Sequence, residues 1–241
     1  MLSSYAICDD DGLLCCPVCR RVDRPFERAV AYGSYDGALR ELVHLLKYNG
    51  VRPTANVLGR MLAEAVAGLE SSFEQPSLLV VPVPLFKRKQ RQRGFNQAEM
   101  IAQAALKMRP VALHFELALD VLARTKETHS QIGLTSHQRR ENLRGAFKIA
   151  RAQGVTGREV LLVDDVYTTG TTVTECARVL RRAGASKVWV ATVARTLKLA
   201  SKHQEEGLKE QGSKVSEFQS FEEAGKSADT LEPENLETLK L

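Results

Sequence analysis

The segment Val160–Thr172 constrains the fold of this chain more than any other part of its sequence. An apolar, β-branched run from Val160 to Val163 leads directly into two carboxylates, then threonines around one glycine, then a helical pattern from Val173 to Leu180. Such a run is typical of a buried parallel strand, so the sequence predicts a strand–loop–helix unit of an α/β sheet. Because open α/β sheets bind ligands at the carboxyl ends of their strands, a ligand site is predicted directly after residue 163.

The residues that follow this strand suit a phosphorylated sugar. Asp164 and Asp165 can accept hydrogen bonds from vicinal hydroxyls, and the threonines offer hydroxyl and N–H groups where a helix start attracts phosphate. Gly170 lets the backbone approach the anion closely. A simple helix-capping turn is the alternative for an acidic pair at this position. A nucleoside-triphosphatase site is excluded, because the sequence lacks a Gly-x-x-x-x-Gly-Lys-Ser/Thr loop.

A second apolar run, Leu78 to Val83, leads into a proline-stiffened turn and a strongly basic stretch. Pro82 and Pro84 prevent a central strand from continuing. A cationic loop is predicted next, with five basic residues in seven positions: Lys87, Arg88, Lys89, Arg91 and Arg93. Like charges packed this closely repel each other unless they are solvated or face an anion. The basic loop and the Asp pair are predicted to share one sheet edge, where pyrophosphate would suit the loop.

These segments resemble a known family. The order Asp-Asp-x-x-Thr-Thr-Gly-Thr-Thr is similar to the phosphoribosyl pyrophosphate (PRPP) signature of type I phosphoribosyltransferases. Pro82-Val83-Pro84-Leu85 and Arg93-Gly94-Phe95-Asn96-Gln97 resemble the motif of the ComF family, which includes GntX-type proteins, although Phe86 and Lys87 depart from it. Residues 124–147 resemble the flexible loop of this family and the segment after it. The resemblance covers about residues 16–197.

The resemblance implies a type I phosphoribosyltransferase-like α/β fold, with a mainly parallel sheet flanked by helices. It implies catalytic and ribose-binding roles for Asp164 and Asp165. The 5′-phosphate would be held by Thr168, Thr169, Gly170, Thr171 and Thr172. Pyrophosphate would be bound by Arg88, Lys89, Arg91 and Arg93, below a flexible lid that carries Lys126, His129 and Arg139.

The implied reaction is the transfer of a phosphoribosyl group from PRPP to an unknown nitrogen acceptor, in a process linked to competence and DNA uptake. Mg²⁺ would be bound largely through the substrate's phosphates. The hood that holds the acceptor is expected in residues 30–70, which contain no recognisable base-reading motif.

Two other functions stay open at this point. One is a catalytically silent PRPP-sensing regulator that keeps the phosphate cradle. The other is a DNA-binding component of the competence machinery, in which residues 87–93 contact nucleic-acid phosphates or partner proteins of that machinery. The basic run lacks interleaved aromatic residues, which argues against a single-strand groove.

Composition divides the chain into three parts. Residues 1–27 form a cysteine-containing segment, in which Cys16-Pro-Val-Cys19 has the Cys-x-x-Cys spacing of one half of a zinc site; the zinc ligands of this remnant knuckle would be Cys8, Cys15, Cys16 and Cys19. Residues 28–197 form the phosphoribosyltransferase-like domain. Residues 198–241 form a charged tail that is expected to be disordered. The chain's net charge is +5, and its excess positive charge lies outside the acidic tail, which suits phosphate-rich ligands.

The sequence also predicts where the protein resides. No apolar run reaches the roughly 20 residues that a membrane span needs. The N-terminus lacks the basic, apolar and small-residue order of a signal peptide. A cytoplasmic protein without membrane contact, either a monomer or a homodimer, is therefore expected.

Overall fold

The fold is known from a computed structural model, which describes residues 5–6, 24–108, 114–127, 136–152 and 154–197. At residues 5–6, 136–137 and 139–140 the description covers the backbone alone. Four groups of predicted features lie outside the described residues or side chains: the cysteines Cys8, Cys15, Cys16 and Cys19, the lid residue His129, the side chain of Arg139, and the tail at residues 198–241. The domain boundaries and the zinc site therefore stay predictions.

A six-stranded sheet lies at the centre of the described residues, in the order β1–β2–β8–β7–β3–β4. Its strands are β1 Tyr5–Ala6, β2 Ala29–Ser34, β3 Ser77–Pro82, β4 His114–Leu117, β7 Glu159–Tyr167 and β8 Lys187–Arg195. The strands from β2 to β4 in this order all pair in parallel, and β1 runs antiparallel to β2. The predicted α/β class with a mainly parallel sheet is confirmed.

Helices cover both faces of this sheet. One face carries three helices: α1 Gly37–Asn49, α2 Thr54–Ala67 and α4 Gln97–Lys107. The other face carries α6 Thr171–Arg182 and a small antiparallel sheet of β5 Leu122–Arg124 and β6 Phe147–Ile149. Two short helices, α3 Lys87–Arg93 and α5 Ser136–Leu143, and a 3₁₀ turn at Glu70–Ser72 complete the described elements.

The central strand β7 is buried on both sides, as its apolar run predicts. Val160 and Leu162 pack in the cluster that includes Cys176 of α6, whereas Leu161 packs in the cluster that includes Leu58 of α2. Alternate residues of a strand face opposite sides, so each side of β7 contributes to a separate core. This double burial holds the first five residues of β7 between two packed layers, and the acidic pair follows directly after them.

The predicted cationic loop at residues 87–93 is wrong, because the structure has helix α3 there. Its lysines, arginines and glutamines are good helix formers, and no glycine, proline or β-branched residue interrupts them. Gly94, with φ of 81°, ends the helix in the left-handed conformation that glycine adopts without strain. The basic side chains are therefore presented on a regular element.

The sequence pattern also predicts an edge strand over residues 29–35 and a strand over residues 120–123, and the structure differs at both of these and at β4. Residues 120–123 do not join the main sheet, because the strand there covers Leu122–Arg124 and pairs with Phe147–Ile149. Strand β2 is flanked by β1 and β8 and is not an edge strand. Strand β4 lies at the sheet edge and was not predicted, since its four residues alternate between exposed and half-buried positions.

The acceptor hood expected in residues 30–70 stays a prediction, and the structure shows helices α1 and α2 in this segment. Helix α2 buries Leu58 and Leu62 against the sheet and belongs to the core. Helix α1 buries Val43 and Leu46 in the same cluster. The last turn of α1 carries Lys47, which contacts Asp165 of β7. None of the helices in the described ranges is long and apolar enough to cross a membrane.

Candidate functional site

The acidic pair lies inside the last part of β7, because this strand continues to Tyr167. The strand pleat directs consecutive side chains to opposite faces of the sheet. Asp165 is only 4% exposed and meets helix α1 on one face. Asp164 is partly buried and interacts electrostatically with Arg124 of β5 and Cys176 of α6, on the other face.

Lys47 forms a close ion pair with Asp165. The Lys47 Nζ atom lies 2.6 Å from Oδ2 of Asp165, and the two side chains are 17% and 6% exposed. Burial lowers the pKa of Lys47, but the charge of Asp165 and the hydrogen bond to it, together with Asp164 and Tyr35, raise this pKa above the ordinary value. The second oxygen of Asp165, Oδ1, accepts a hydrogen bond of 2.7 Å from the N–H of Val166. Both oxygens of Asp165 are thus engaged within the protein.

Asp164 has a different environment. Burial raises the pKa of Asp164 to about 7, and the negative charge of Asp165 adds to this shift, whereas Lys47 and Arg124 act against it. Its Oδ1 atom accepts a hydrogen bond of 2.9 Å from the N–H of Asp165. The other carboxylate oxygen accepts no hydrogen bond from the described residues. Asp164 is therefore the member of the pair with a free oxygen for a ligand.

The threonine–glycine loop connects β7 to the start of α6. Gly170 is the N-cap of this helix, with φ of 75°, and as a glycine it has no side-chain oxygen of its own to cap the first N–H groups. The hydroxyl oxygens of Thr169 and Thr171 lie 2.8 Å apart and form a hydrogen bond. A helix start that begins with glycine and carries hydroxyls beside it is a favourable place for a phosphate.

Neighbouring strands and side chains hold this loop in place. The N–H of Thr196 donates to the Tyr167 carbonyl at 2.9 Å, and its hydroxyl donates to the Thr168 carbonyl at 3.3 Å. A Cβ atom at Gly170 would overlap the Tyr167 hydroxyl and lie 2.6 Å from Cζ of that ring. Glycine is therefore required at position 170 both by the backbone angle and by the tyrosine ring.

The basic residues of α3 point in more than one direction. Lys87, Arg88, Lys89 and Arg91 are exposed, and Arg93 is partly buried. Arg88 lies 3.2 Å from a carboxylate oxygen of Glu127, and Arg93 donates to Gln97 and stacks 5.8 Å from the centre of the Tyr48 ring. Burial, together with the positive charges of Arg124 and Arg93, lowers the pKa of Lys89.

Arg124 connects the basic helix with the acidic pair. This side chain is a source of the pKa shifts of both Lys89 and Asp164, and it stacks on Phe147 with its guanidinium 5.4 Å from the ring centre. Burial lowers the pKa of Arg124 itself. Arg124 of β5 therefore interacts both with the basic helix α3 and with the carboxylate of Asp164 in β7.

The predicted lid is described only in part. Lys126 is exposed, and its Nζ donates a hydrogen bond of 3.3 Å to the carbonyl of Arg144. Arg139 belongs to helix α5, of which the backbone is described at that residue. Lys126 is thus the one predicted lid residue whose side chain the structure describes, and this side chain contacts the backbone of Arg144, the residue after α5.

Sequence reasoning missed Lys47 and assigned no site role to Arg124. Lys47 lies in the last turn of α1, where a basic residue is usually explained by the negative end of the helix dipole. No motif signals its contact with Asp165, which only the packing of α1 on the sheet produces. The Arg-Thr-Lys sequence at residues 124–126 did mark a charged stretch, and its first residue is the one that approaches Asp164.

Comparisons with known proteins identify the family of this chain. A profile of the phosphoribosyl transferase domain matches residues 100–227, more than half of the chain. The DNA utilization protein YhgH of Escherichia coli (strain K12) is 35% identical over 183 residues, covering 76% of this chain and 78% of the relative. The chain belongs to the ComF family of phosphoribosyltransferase-domain proteins. Competence protein F of Haemophilus influenzae is 31% identical over 182 residues, covering 75% of this ComF-family chain and 78% of the relative.

A solved structure is also similar to this ComF-family chain. The hypoxanthine phosphoribosyltransferase of Staphylococcus aureus matches with a TM-score of 0.38 and 14% sequence identity. The match covers 61% of the ComF-family chain and 71% of the solved one.

Proposed function

We propose that this chain binds PRPP with Mg²⁺ and transfers its phosphoribosyl group to a nitrogen nucleophile. The observation that carries the proposal is the continuous path from Asp164 and Asp165 at the end of β7 to the glycine-capped start of α6. It offers carboxylates for ribose hydroxyls and, a few residues later, N–H and hydroxyl groups for the 5′-phosphate. The family's phosphoribosyl transferase domain supports the same substrate.

The reaction would form a bond between the nucleophile's nitrogen and the ribose anomeric carbon, as the bond from this carbon to pyrophosphate breaks. The transition state carries positive charge on the ribose, so the protein mainly supplies position and charge. Asp164 and Asp165 form the ribose wall, and their negative charge favours that positive charge. The α3 residues Arg88, Lys89, Arg91 and Arg93, with Arg124, are suited to bind the departing pyrophosphate.

Magnesium fits this arrangement as an ion that arrives with the substrate. The described residues contain no group of three or more His, Cys, Asp or Glu side chains that could hold a metal ion by themselves. Mg²⁺ prefers oxygen ligands and is commonly bound through substrate phosphates and water. When bound, it neutralises pyrophosphate charge, and the cradle at residues 168–172 and the basic side chains of α3 would hold the phosphates that carry it.

PRPP binding is tested by titration calorimetry of the full chain with PRPP in the presence of Mg²⁺. We expect the double variant Asp164→Asn with Asp165→Asn to lose binding by about a hundredfold or more, because charge-assisted hydrogen bonds of about 1.5–3 kcal/mol each are removed. Asp120→Asn is the matched control, since Asp120 is exposed and pairs with Arg151. Unaltered binding in the double variant would disprove the site assignment.

Transfer is tested separately by screening nucleobases and amines for pyrophosphate release. Release with one acceptor would identify the nucleophile. PRPP binding without release for any acceptor would favour the PRPP-sensing regulator. The cytoplasmic location and the oligomeric state stay predictions from the sequence.

DNA binding by α3 is the second candidate. It is favoured by the exposure of Lys87, Arg88, Lys89 and Arg91 on one short helix, and by relatives named for DNA utilization and competence. If α3 contacts DNA phosphates, affinity should fall steeply with salt, and Arg88→Ala with Arg91→Ala should weaken it equally for all sequences. Asn56→Ala, at an exposed residue of α2, is the control. Affinity that is insensitive to salt or to the double variant would contradict this function.

A further inference from the structure

The two adjacent carboxylates of the ribose wall are not equivalent. Asp165 is almost fully buried, with Oδ1 bound to the N–H of Val166 and Oδ2 in contact with the ammonium of Lys47. Asp164 lies on the other side of the pleat, is more exposed, and has one carboxylate oxygen without a hydrogen bond from the described residues. The sequence motif alone treats the two positions as a pair with one role.

Lys47 comes from an element that the PRPP motif does not include. It lies in the last turn of α1, where Gly50 ends the helix with φ of 67° and donates its N–H to the Leu45 carbonyl. The preceding residue, Leu46, is buried in the core and fixes this turn against the sheet. The ammonium of Lys47 is therefore held near the end of β7 by the packing of the whole helix.

We propose that Lys47 is a positioning residue of the ribose site, which holds Asp165 as an anchored, internal carboxylate and leaves Asp164 as the one that binds the ribose hydroxyls. This inference rests on the proposed PRPP function. Asp165 would act through Lys47 and through the N–H of Val166, by fixing the end of β7. Asp164 would make the direct contact with substrate.

The charges around Asp164 support this division of roles. The groups that act on it among the described residues are Asp165 beside it, Lys47 from α1, Arg124 from β5 and the thiol of Cys176 from α6. Burial and the charge of Asp165 raise the pKa of Asp164, whereas the charges of Lys47 and Arg124 and the hydrogen bond from the Asp165 N–H lower it. Within the ion pair, the charge of Asp165 thus favours the protonated form of Asp164, and the charge of Lys47 favours its ionised form.

The test compares single variants by PRPP calorimetry with Mg²⁺ and by thermal denaturation without ligand. We expect Asp164→Asn to weaken PRPP binding by about a hundredfold without lowering the melting temperature, because it removes the direct contact. Asp165→Asn should weaken binding by less than about tenfold but lower the melting temperature, since a buried lysine then lacks its partner. Loss of binding in Asp165→Asn equal to that in Asp164→Asn, at an unchanged melting temperature, would overturn the proposal.

The pH dependence of PRPP affinity gives a readout that a purely structural role would not move. Below about pH 7, affinity of the wild-type protein should fall as Asp164 is protonated. Lys47→Met should move this fall to higher pH and Asp165→Asn should move it to lower pH, each by about one unit, and Lys47→Arg should restore the wild-type profile. Identical profiles in the Lys47→Met, Asp165→Asn and wild-type proteins would contradict the inference.

A double variant separates a loss of PRPP binding from a loss of the fold. The double variant Lys47→Met with Asp165→Asn removes both charges, so it should melt at a higher temperature than Lys47→Met alone and retain PRPP binding within about tenfold of wild type. Complete loss of binding in this folded double variant would overturn the proposal. If the wild-type protein itself binds no PRPP, the proposed function fails and this inference fails with it; the two failures are thus distinguished by the wild-type titration.

Discussion

Gly170→Ala should remove most of the PRPP affinity, by about a hundredfold, whereas Gly157→Ala should leave it intact. Both glycines have φ of 75°, a backbone conformation that costs an alanine about 1–2 kcal/mol. Only at position 170 does the added methyl group also meet another side chain, the ring of Tyr167. At Gly157 nothing lies within 4 Å of the added carbon. The pair therefore separates backbone strain from damage to the loop.

The reason for the large effect at Gly170 lies in the start of α6. To accept a methyl group, either the tyrosine ring or the backbone of the loop must move, and the first N–H groups of the helix move with it. Each misdirected N–H···phosphate hydrogen bond costs about 1.5–3 kcal/mol. Calorimetry with PRPP and Mg²⁺ measures the loss of phosphate binding, and melting temperatures measure the backbone strain. Equal loss of affinity in the two variants would mean that strain alone explains the effect and that the loop does not hold the phosphate.

Asp164→Asn should make the ligand-free protein more stable than wild type at pH 8, with the difference shrinking as the pH falls toward 4.5. The pKa of Asp164 is raised from an ordinary value of 3.8 to about 7, chiefly by burial. Between these values folding takes up a proton, so the contribution of Asp164 to stability becomes less favourable as pH rises through this window. Asparagine does not titrate and avoids that loss. The carboxylate that the ligand requires would thus lower the stability of the empty site.

Melting temperatures of both proteins across this pH range measure the effect. Asp120→Asn is the control, because hydrogen bonding to Arg151 lowers the pKa of Asp120 below its ordinary value of 3.8, so the difference between this variant and wild type should stay constant across the same pH range. The stabilisation from Asp120 is present above its ordinary pKa and is lost as the pH falls below it. If the melting temperatures of wild type and Asp164→Asn differ by the same amount at every pH in this range, the raised pKa of Asp164 is contradicted.

The sequence predicts the parts of the fold whose patterns are long and regular. Strand β3 and helix α6 agree with the prediction within two residues at each end, and strand β7 begins one residue before the predicted run, because burial on both faces or on one helical face leaves a clear pattern. The strands β4, β5 and β6 have three or four residues each, too few to show a period. Their pairing depends on tertiary packing, which single-sequence patterns do not record.

Charge misled the prediction at residues 87–93. The five close positive charges favoured the prediction of a cationic loop. Seven consecutive good helix formers before a capping glycine favour a helix instead, because solvent screens the exposed charges. At the candidate site, the sequence marked Asp164, Asp165 and the threonine–glycine loop because their spacing along the chain is fixed. Lys47 and Arg124 reach the site from distant segments, and only the folded arrangement brings them there.

The order of strands in the sheet also has a consequence for how the chain folds during synthesis. Strand β2 pairs with β8, the last strand of the described residues, and the hydrogen bond from the Thr192 hydroxyl to the Val30 carbonyl spans 162 residues of sequence. Pairing between such distant segments is slow, because a large loop must close before any contact forms. During synthesis on the ribosome, the edge of β2 that pairs with β8 therefore remains unpaired until the chain has emerged as far as Arg195. Early chaperone contact during translation should accordingly matter more for this protein than for one whose neighbouring strands are adjacent in sequence.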